Sequence, residues 1–133
     1  MFKTVVLAAC MLVAVPFTAD ADPVGAYSLV GKNPDSGKDY TGTVTVTRTG
    51  DTYAVVWNIG GSESVGTGIG ARLLEDHITM GPATPEDTGI SVGYKLGDTF
   101  GIAMFFEQAD GTWAGVWTYN GSKQVTGEVW TRQ

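Results

Sequence analysis

The sequence predicts an all-β fold, an eight-stranded antiparallel up-and-down β-barrel, from three observations. Short segments rich in Thr, Val, Tyr, Trp and Phe recur about every ten residues from Val24 onward. Glycine-containing turns separate them, and such short turns join neighbouring antiparallel strands. Large and small side chains alternate within the segments, which is typical of a sheet with one buried face. Because closure removes unpaired edges, a barrel is favoured over the alternative, a two-sheet β-sandwich.

The N-terminal residues 1–21 are predicted to be a signal peptide. Lys3 precedes an apolar stretch too short to span a bilayer, and residues 19–21 read Ala-Asp-Ala, the form of a cleavage site. We therefore expect cleavage after Ala21, with residues 22–133 forming a single β-barrel domain that is periplasmic or secreted. Residues 7–10 also spell a lipobox, but the apolar stretch continues past Cys10, which argues against a lipoprotein.

The predicted strands follow one another at regular intervals, at about 24–32, 39–48, 52–59, 63–71, 89–95, 99–107, 112–119 and 124–132. The third predicted strand places Tyr53, Val55, Trp57 and Ile59 on one face. The sixth places Phe100, Ile102, Met104 and Phe106 together, and the seventh places Trp113, Gly115, Trp117 and Tyr119 together. One face of the sheet is thus expected to carry the large groups.

The segment at residues 72–88 interrupts this rhythm. Pro82 and Pro85 enforce a loop, and residues 76–80 are compatible with a short extra strand. Just before it, residues 66–71 read Gly-Thr-Gly-Ile-Gly-Ala, which satisfies a dinucleotide-binding pattern, but the required strand-turn-helix setting is absent. In-strand glycines of this kind indicate places where a large side chain from a neighbouring strand needs room.

Charge and the scarcity of reactive residues exclude several functions. The formal net charge is −6, and the predicted signal peptide carries one base and one acid, so cleavage leaves it unchanged. An acidic chain without a basic stripe repels nucleic acid and anionic lipid, and no later segment is apolar enough to span a membrane. Cys10 and His77 are the only cysteine and histidine, so we expect no disulfide, no metal site and no cofactor.

The aromatic content points to a binding function. Rings can line a pocket for an apolar or planar molecule, although they can also fill a barrel of this size. The first hypothesis is a non-catalytic barrel that binds a small apolar or aromatic ligand near one open end. The residues expected to form its wall are Tyr53, Trp57, Phe106, Trp113 and Trp117.

Two alternatives are open at this point. In one, a packed barrel recognises a host or envelope protein through the loops at residues 33–39 and 72–88. In the other, the weaker, an enzyme uses paired carboxylates from Glu63, Glu107 and Glu128. In-strand glutamates usually lie on the solvent face, which disfavours catalysis.

The turn style and the closing Gly-Val-Trp-Thr resemble the calycins, that is lipocalins, fatty-acid-binding proteins and avidins, although the lipocalin Gly-x-Trp is replaced by Gly-Ala-Tyr at residues 25–27. The chain also resembles small exported α-proteobacterial proteins with the motifs Tyr-x-Gly-Thr-Val, Gly-Asp-Thr-Tyr, Gly-Thr-Gly-Ile and Gly-x-Trp-Thr. These match residues 40–44, 50–53, 66–69 and 115–118. Some of those proteins are labelled fibronectin-binding. The resemblance implies a calycin-like barrel and an envelope location, and no particular chemistry.

Overall fold

The computed structural model describes residues 21–133. The predicted signal peptide, apart from its last residue, and the alternative lipid attachment at Cys10 lie outside the described residues. The described part contains nine β-strands: β1 (Gly25–Lys32), β2 (Asp39–Thr49), β3 (Thr52–Ile59), β4 (Ser62–Leu73), β5 (Ile78–Gly81), β6 (Gly89–Leu96), β7 (Thr99–Glu107), β8 (Trp113–Tyr119) and β9 (Thr126–Arg132). Across residues 21–133 there is no helix long and apolar enough to cross a membrane.

Eight of the strands form a closed antiparallel barrel. Around the barrel the order is β3-β2-β1-β9-β8-β7-β6-β4, and pairing of β3 with β4 completes the circle. The ninth strand, β5, pairs only with residues 70–73 at the end of β4, so it extends the sheet beyond the barrel. The predicted fold class is confirmed, because the strands close into a barrel and do not form the alternative two-sheet sandwich.

The two ends of the barrel are built differently. The turns β1–β2, β3–β4, β6–β7 and β8–β9 lie at one end, called here the open end. The opposite, closed end carries the turns β2–β3 and β7–β8, both termini of the described chain and residues 74–88. Ala83 of that last segment is buried, and its amide donates to the carbonyl oxygen of Asp51 at 2.9 Å. Residues 82–87 therefore cover the closed end.

Large side chains fill the barrel towards its closed end. The rings of Phe105 and Trp130 stack with centroids 3.9 Å apart, and Tyr27 packs beside Trp130 at 5.5 Å. The hydroxyl of Tyr27 donates to the carbonyl oxygen of Pro23 at 2.7 Å, which holds residue 23 at this end of the barrel. The fully buried large hydrophobic side chains are Tyr27, Leu29, Val44, Val46, Tyr53, Val55, Ile90, Val92, Phe105, Trp113 and Trp130.

Strand β7 differs from the expectation that its larger residues face the core. Ala103 and Phe105 are buried, whereas Phe100 and Ile102 are 58% and 66% exposed on the outer face. The reason is the space left by neighbouring strands, because Ala103 lies opposite both Val92 and Trp117 in the ladder. Two large neighbours leave room only for a small inward side chain at that level of the barrel.

The glycine-rich residues 66–71 form part of β4 and precede no helix. A Cβ atom at Gly66 would lie 2.6 Å from the Val92 side chain and 3.1 Å from the Trp57 ring. A Cβ atom at Gly70 would overlap the carboxyl group of Asp87. These glycines give neighbouring side chains access to the barrel interior, as expected from their position within a strand.

Candidate functional site: the open-end cavity

A cavity of about 590 Å³ opens at the open end of the barrel. This volume lies within the range of small-molecule sites, roughly 300–1,000 Å³. Its lining residues come from β2, β3, β4, β6, β7, β8 and β9 and from the β1–β2 loop. They are Asn33, Ser36, Lys38, Asp39, Tyr40, Trp57, Ile59, Ser62, Ser64, Tyr94, Leu96, Thr99, Ala103, Phe105, Trp117, Tyr119 and Glu128.

Four rings from four strands make the aromatic wall of this cavity, and we call them the ring cluster: Tyr40, Trp57, Tyr94 and Trp117. Ring centroids are 6.0 Å apart for Tyr40 and Trp117, and 6.4 Å apart for Tyr94 and Trp117. Trp57 joins the cluster through Tyr94, with centroids 5.6 Å apart. The interplanar angles of 57° to 73° correspond to the tilted and edge-to-face geometries that aromatic pairs prefer.

Two glycines make room for the tyrosines of the ring cluster. Gly31 of β1 lies opposite Tyr40, and a Cβ atom there would overlap the phenol ring. Gly101 of β7 lies opposite Tyr94, where a Cβ atom would overlap its hydroxyl group and the carbonyl oxygen of Thr118. Each phenol ring therefore lies over the backbone of a neighbouring strand. In this position the ring is part of the cavity wall and does not fill the cavity.

Glu128 is a carboxylate in the wall of this cavity, only 4% exposed. Its Oε1 accepts hydrogen bonds from the indole Nε1 atoms of Trp57, at 2.9 Å, and Trp130, at 2.6 Å. Its Oε2 accepts a hydrogen bond from the Tyr40 hydroxyl group. An indole N–H can only donate, so the two tryptophans hold Oε1 as an acceptor.

The charge of Glu128 is not balanced by a neighbouring base. Within residues 21–133 no Lys, Arg or His side chain forms an ion pair with it. Burial, followed by the negative charge of Glu128, raises the pKa of Tyr94 to about 12. The same two causes, with the hydrogen bond to Glu128, raise the pKa of Tyr40 far above its usual range. Both phenols are therefore neutral at physiological pH.

The mouth of the cavity is more polar than its interior. Ser62 and Ser64 of β4 and Thr99 of β7 contribute hydroxyl groups to the lining. Lys38 and Asp39 stand at the rim, where Asp39 forms an exposed ion pair with Lys32. An apolar molecule with one polar end would find rings inside and hydroxyl groups nearer to the solvent.

Of the five residues predicted to form a ligand wall, two line the cavity and three lie elsewhere in the barrel. Trp57 and Trp117 line the cavity. Tyr53 and Trp113 are fully buried towards the closed end, outside the cavity lining. Phe106 lies on the outer face, where its ring covers Gly89. The alternation that groups Phe106 with Phe100 and Ile102 holds, but this face of β7 points away from the interior.

The structure adds Tyr40, Tyr94 and Glu128 to the wall. The two tyrosines belong to the aromatic-rich segments of the sequence, and each lies opposite an in-strand glycine. Glu128 is two residues from Trp130, so the two share one face of β9, and that face is the inner one. The spacing of two residues between Glu128 and Trp130 is therefore the feature of the sequence that could have predicted an inward carboxylate.

The three glutamates considered for paired-carboxylate catalysis occupy different places. Glu63 is exposed on the outer face, opposite Asn58. Glu107 lies at the closed end opposite Trp113, whereas Glu128 faces the open-end cavity. His77 is exposed and contacts Asp76 beside it in the chain. Within the described part of the chain, no three His, Cys, Asp or Glu side chains are grouped so that they could hold a metal ion.

Fold and site together define a small antiparallel β-barrel that is filled at one end and hollow at the other. This architecture is consistent with a calycin-like barrel. Comparison with protein-family models, with curated proteins and with solved structures gives no match for the chain.

Proposed function

We propose that this protein is a non-catalytic, exported binding protein that holds a small apolar or aromatic molecule in its open-end cavity. The observation that carries the proposal is the cavity of about 590 Å³ walled by the ring cluster. Rings that only stabilised the fold would pack against one another without enclosing space, as they do at the closed end. Aromatic walls around a cavity open to solvent are typical of sites for planar and apolar ligands.

The non-catalytic part of the proposal is supported by how the carboxylates are distributed. General acid-base work on a glycoside needs two carboxyl groups that flank one bond. Glu63 is outside the barrel and Glu107 is at its closed end, so neither shares the cavity with Glu128. Asp39 does line the cavity, but it stands at the exposed rim in an ion pair with Lys32. The export part is supported by the sequence of residues 1–21.

The first test is native mass spectrometry of the protein purified from the compartment in which its host places it, followed by organic extraction. A small molecule that co-purifies with the wild-type protein identifies the ligand class. The same measurement on the variant Ser64→Phe is expected to show an empty protein, because Ser64 lines the cavity and the added ring takes up its space.

Ala54→Phe is the matched control for this experiment. Ala54 lies on the outer face of β3, opposite Thr47 and Thr67, so the same ring is added away from the cavity. We expect this variant to retain the co-purifying molecule. Equal loading of both variants would place the molecule elsewhere and contradict the proposal.

The second candidate function is a loop-mediated interaction module that binds a host or envelope protein. Its support is the β4–β5 hairpin, which exposes four apolar side chains at the closed end: Leu73, Leu74, Ile78 and Met80. Exposed apolar groups concentrated in one hairpin are typical of protein-contacting surfaces. Binding to immobilised fibronectin, after the label that some of the similar exported proteins carry, is expected to be lost in Leu73→Thr/Ile78→Thr if this function holds. Unchanged binding would contradict it.

A further inference from the structure

A buried carboxylate without a counter-charge is the feature of the cavity that an apolar ligand alone does not explain. Burying a charge is costly unless it is paired, and proteins usually supply a base or a metal. The donors to Glu128 are two indole N–H groups and one phenol hydroxyl, all of them neutral. The cavity side of the carboxylate is where a positive charge from outside the chain can reach it.

The hydrogen bonds leave a defined position for such a partner. A carboxylate offers about four lone-pair sites, two on each oxygen. Oε1 uses both of its sites on Trp57 and Trp130, whereas among residues 21–133 Oε2 accepts from Tyr40 alone. One acceptor site on Oε2 is left for an N–H group of a ligand.

The ring cluster has the composition of a cation site. Cations bind favourably against the faces of Trp and Tyr rings when they lie within about 6 Å of the ring centroids. Tyr40 and Trp57 both contact Glu128 and are members of the ring cluster, so carboxylate and rings belong to one site. Aromatic cages recognise organic ammonium groups, and the carboxylate adds a negative charge to such a set of rings.

We propose that the ligand of this barrel is an organic amine in its protonated form, its ammonium group held by Glu128 and the ring cluster and its apolar part lying along the cavity. This inference rests on the proposed binding function and specifies the class of ligand. The acidic net charge of the chain, −6, favours a cationic ligand over an anionic one during approach.

Calorimetric titration with three probes of the same shape tests the proposal. The probes are phenethylammonium, propylbenzene, which replaces the ammonium with a methyl group, and 3-phenylpropionate, which carries the opposite charge. The wild-type protein is expected to bind phenethylammonium at least about tenfold more tightly than propylbenzene, because only the cation compensates the buried charge. We expect 3-phenylpropionate to bind most weakly of the three.

The variant Glu128→Gln tests whether the Glu128 carboxylate causes the preference for phenethylammonium over propylbenzene. The glutamine keeps the acceptor towards the two indoles, and the Tyr40 hydroxyl can accept from its amide. We expect this variant to bind phenethylammonium roughly tenfold more weakly while its affinity for propylbenzene changes by less than about threefold. Asp87→Asn is the matched control, since it neutralises the other buried carboxylate outside the cavity, and both affinities should be retained.

The outcomes separate this inference from the function on which it rests. Equal affinity of the wild-type protein for phenethylammonium and propylbenzene would overturn the amine inference and leave the binding function in place. Binding of none of the probes, together with no co-purifying molecule, would overturn both. Should Glu128→Gln fail to fold by circular dichroism, the wild-type preference between the two isosteric probes decides.

Discussion

The barrel contains two buried carboxylates at opposite ends, and they differ in what surrounds them. Asp87, at the closed end, accepts from the Thr84 amide at 2.8 Å and lies 2.5 Å from the Tyr53 hydroxyl. The guanidinium Nε of Arg72 lies 3.8 Å from its other oxygen, so a base accompanies the charge. The donors to Glu128, in the open-end cavity, are all neutral in the part of the chain that the structure describes.

This difference indicates how the molecule divides stability from binding. The network around Asp87 ties residues 82–87 to β3 and β4 and covers the closed end, with Gly70 leaving space for the carboxyl group. Because every partner of Asp87 comes from the chain, the network is complete without a ligand. Each carboxylate oxygen of Glu128 accepts at least one hydrogen bond, but within the described residues no base balances its charge, as expected where a bound ligand supplies the positive charge.

The largest expected effect is on stability at the closed end. Asp87→Ala leaves the Tyr53 hydroxyl and the Thr84 amide without their acceptor, and we expect the free energy of unfolding to fall by about 3 kcal/mol. Urea unfolding measures this change. The neighbouring variant Glu86→Ala, at an exposed side chain, should stay within about 0.5 kcal/mol of the wild type. Similar losses in both would show that the Asp87 network is not what secures this end.

A smaller loss of stability, combined with a change in the cavity, is expected from Gly31→Ala. The new methyl group would overlap the Tyr40 ring, which must move away from Glu128. We expect a loss of roughly 2 kcal/mol in the free energy of unfolding and weaker binding of phenethylammonium. In the control Gly93→Ala the methyl group meets no atom within 4 Å. Unaltered binding in Gly31→Ala would show that the position of Tyr40 is unimportant for the site.

Two tryptophan substitutions separate the ends more finely. Trp117→Phe, in the cavity wall, is expected to lower stability by about 1 kcal/mol and to weaken probe binding several-fold. Trp113→Phe, in the filled end, should lower stability by about 1.5 kcal/mol with unchanged affinity. Urea unfolding and calorimetry on both proteins give the comparison. A loss of affinity in Trp113→Phe alone would reverse the assignment of the two ends.

The buried tyrosines have the smallest expected effect on the free energy of unfolding near neutral pH. In alkaline solution their effect becomes clear. Burial, partly offset by Arg132, raises the pKa of Tyr27 at the closed end to about 12, and the pKa of Tyr94 at the open end is raised to the same value. A phenol whose pKa is higher in the folded protein contributes its full stability below pH 10, its ordinary pKa. That contribution is lost as the pH rises from 10 through about 12.

The measurement is the free energy of unfolding across pH 8 to 12, with phenolate absorbance as the marker of ionisation. We expect a plateau up to about pH 10 and a steady decline above it. Tyr94→Phe should have a shallower decline than the wild type, because one of the titrating groups is removed. Phenolate absorbance that rises fully at pH 10 without unfolding would contradict burial of these rings.

The sequence predicts the strands well because their signals are local. Turn glycines such as Gly50 and Gly97 adopt positive φ angles in the structure, and two-residue alternation fixes which residues share a face. Even the extra strand expected near residues 76–80 appears as β5. These features depend on neighbours in the chain and can be read without knowing the barrel.

Which face points inward depends on contacts between distant residues. In β7 Phe100 and Ile102 are outside and the small Ala103 is inside, where Trp117 and Val92 already occupy the interior beside it. Glu128 is inside and accepts hydrogen bonds from Trp57 of β3 and Tyr40 of β2, which are far from it in the sequence. Alternation shows which residues share a face of a strand, but not whether that face points into the barrel. The sequence therefore predicts Trp57 and Trp117 as wall residues and does not predict Tyr40 and Tyr94.

The β4–β5 hairpin, which extends beyond the barrel, is also a suitable site for attaching the protein to a surface. It leaves the barrel at the closed end, and residues 73–80 are exposed along its whole length. A cysteine or a short tag placed in its turn at residues 75–76 would attach the protein to a surface by the end that lacks the cavity. Every immobilised molecule would then present its mouth to the solution, which makes this barrel suitable for a surface-mounted sensor of small molecules.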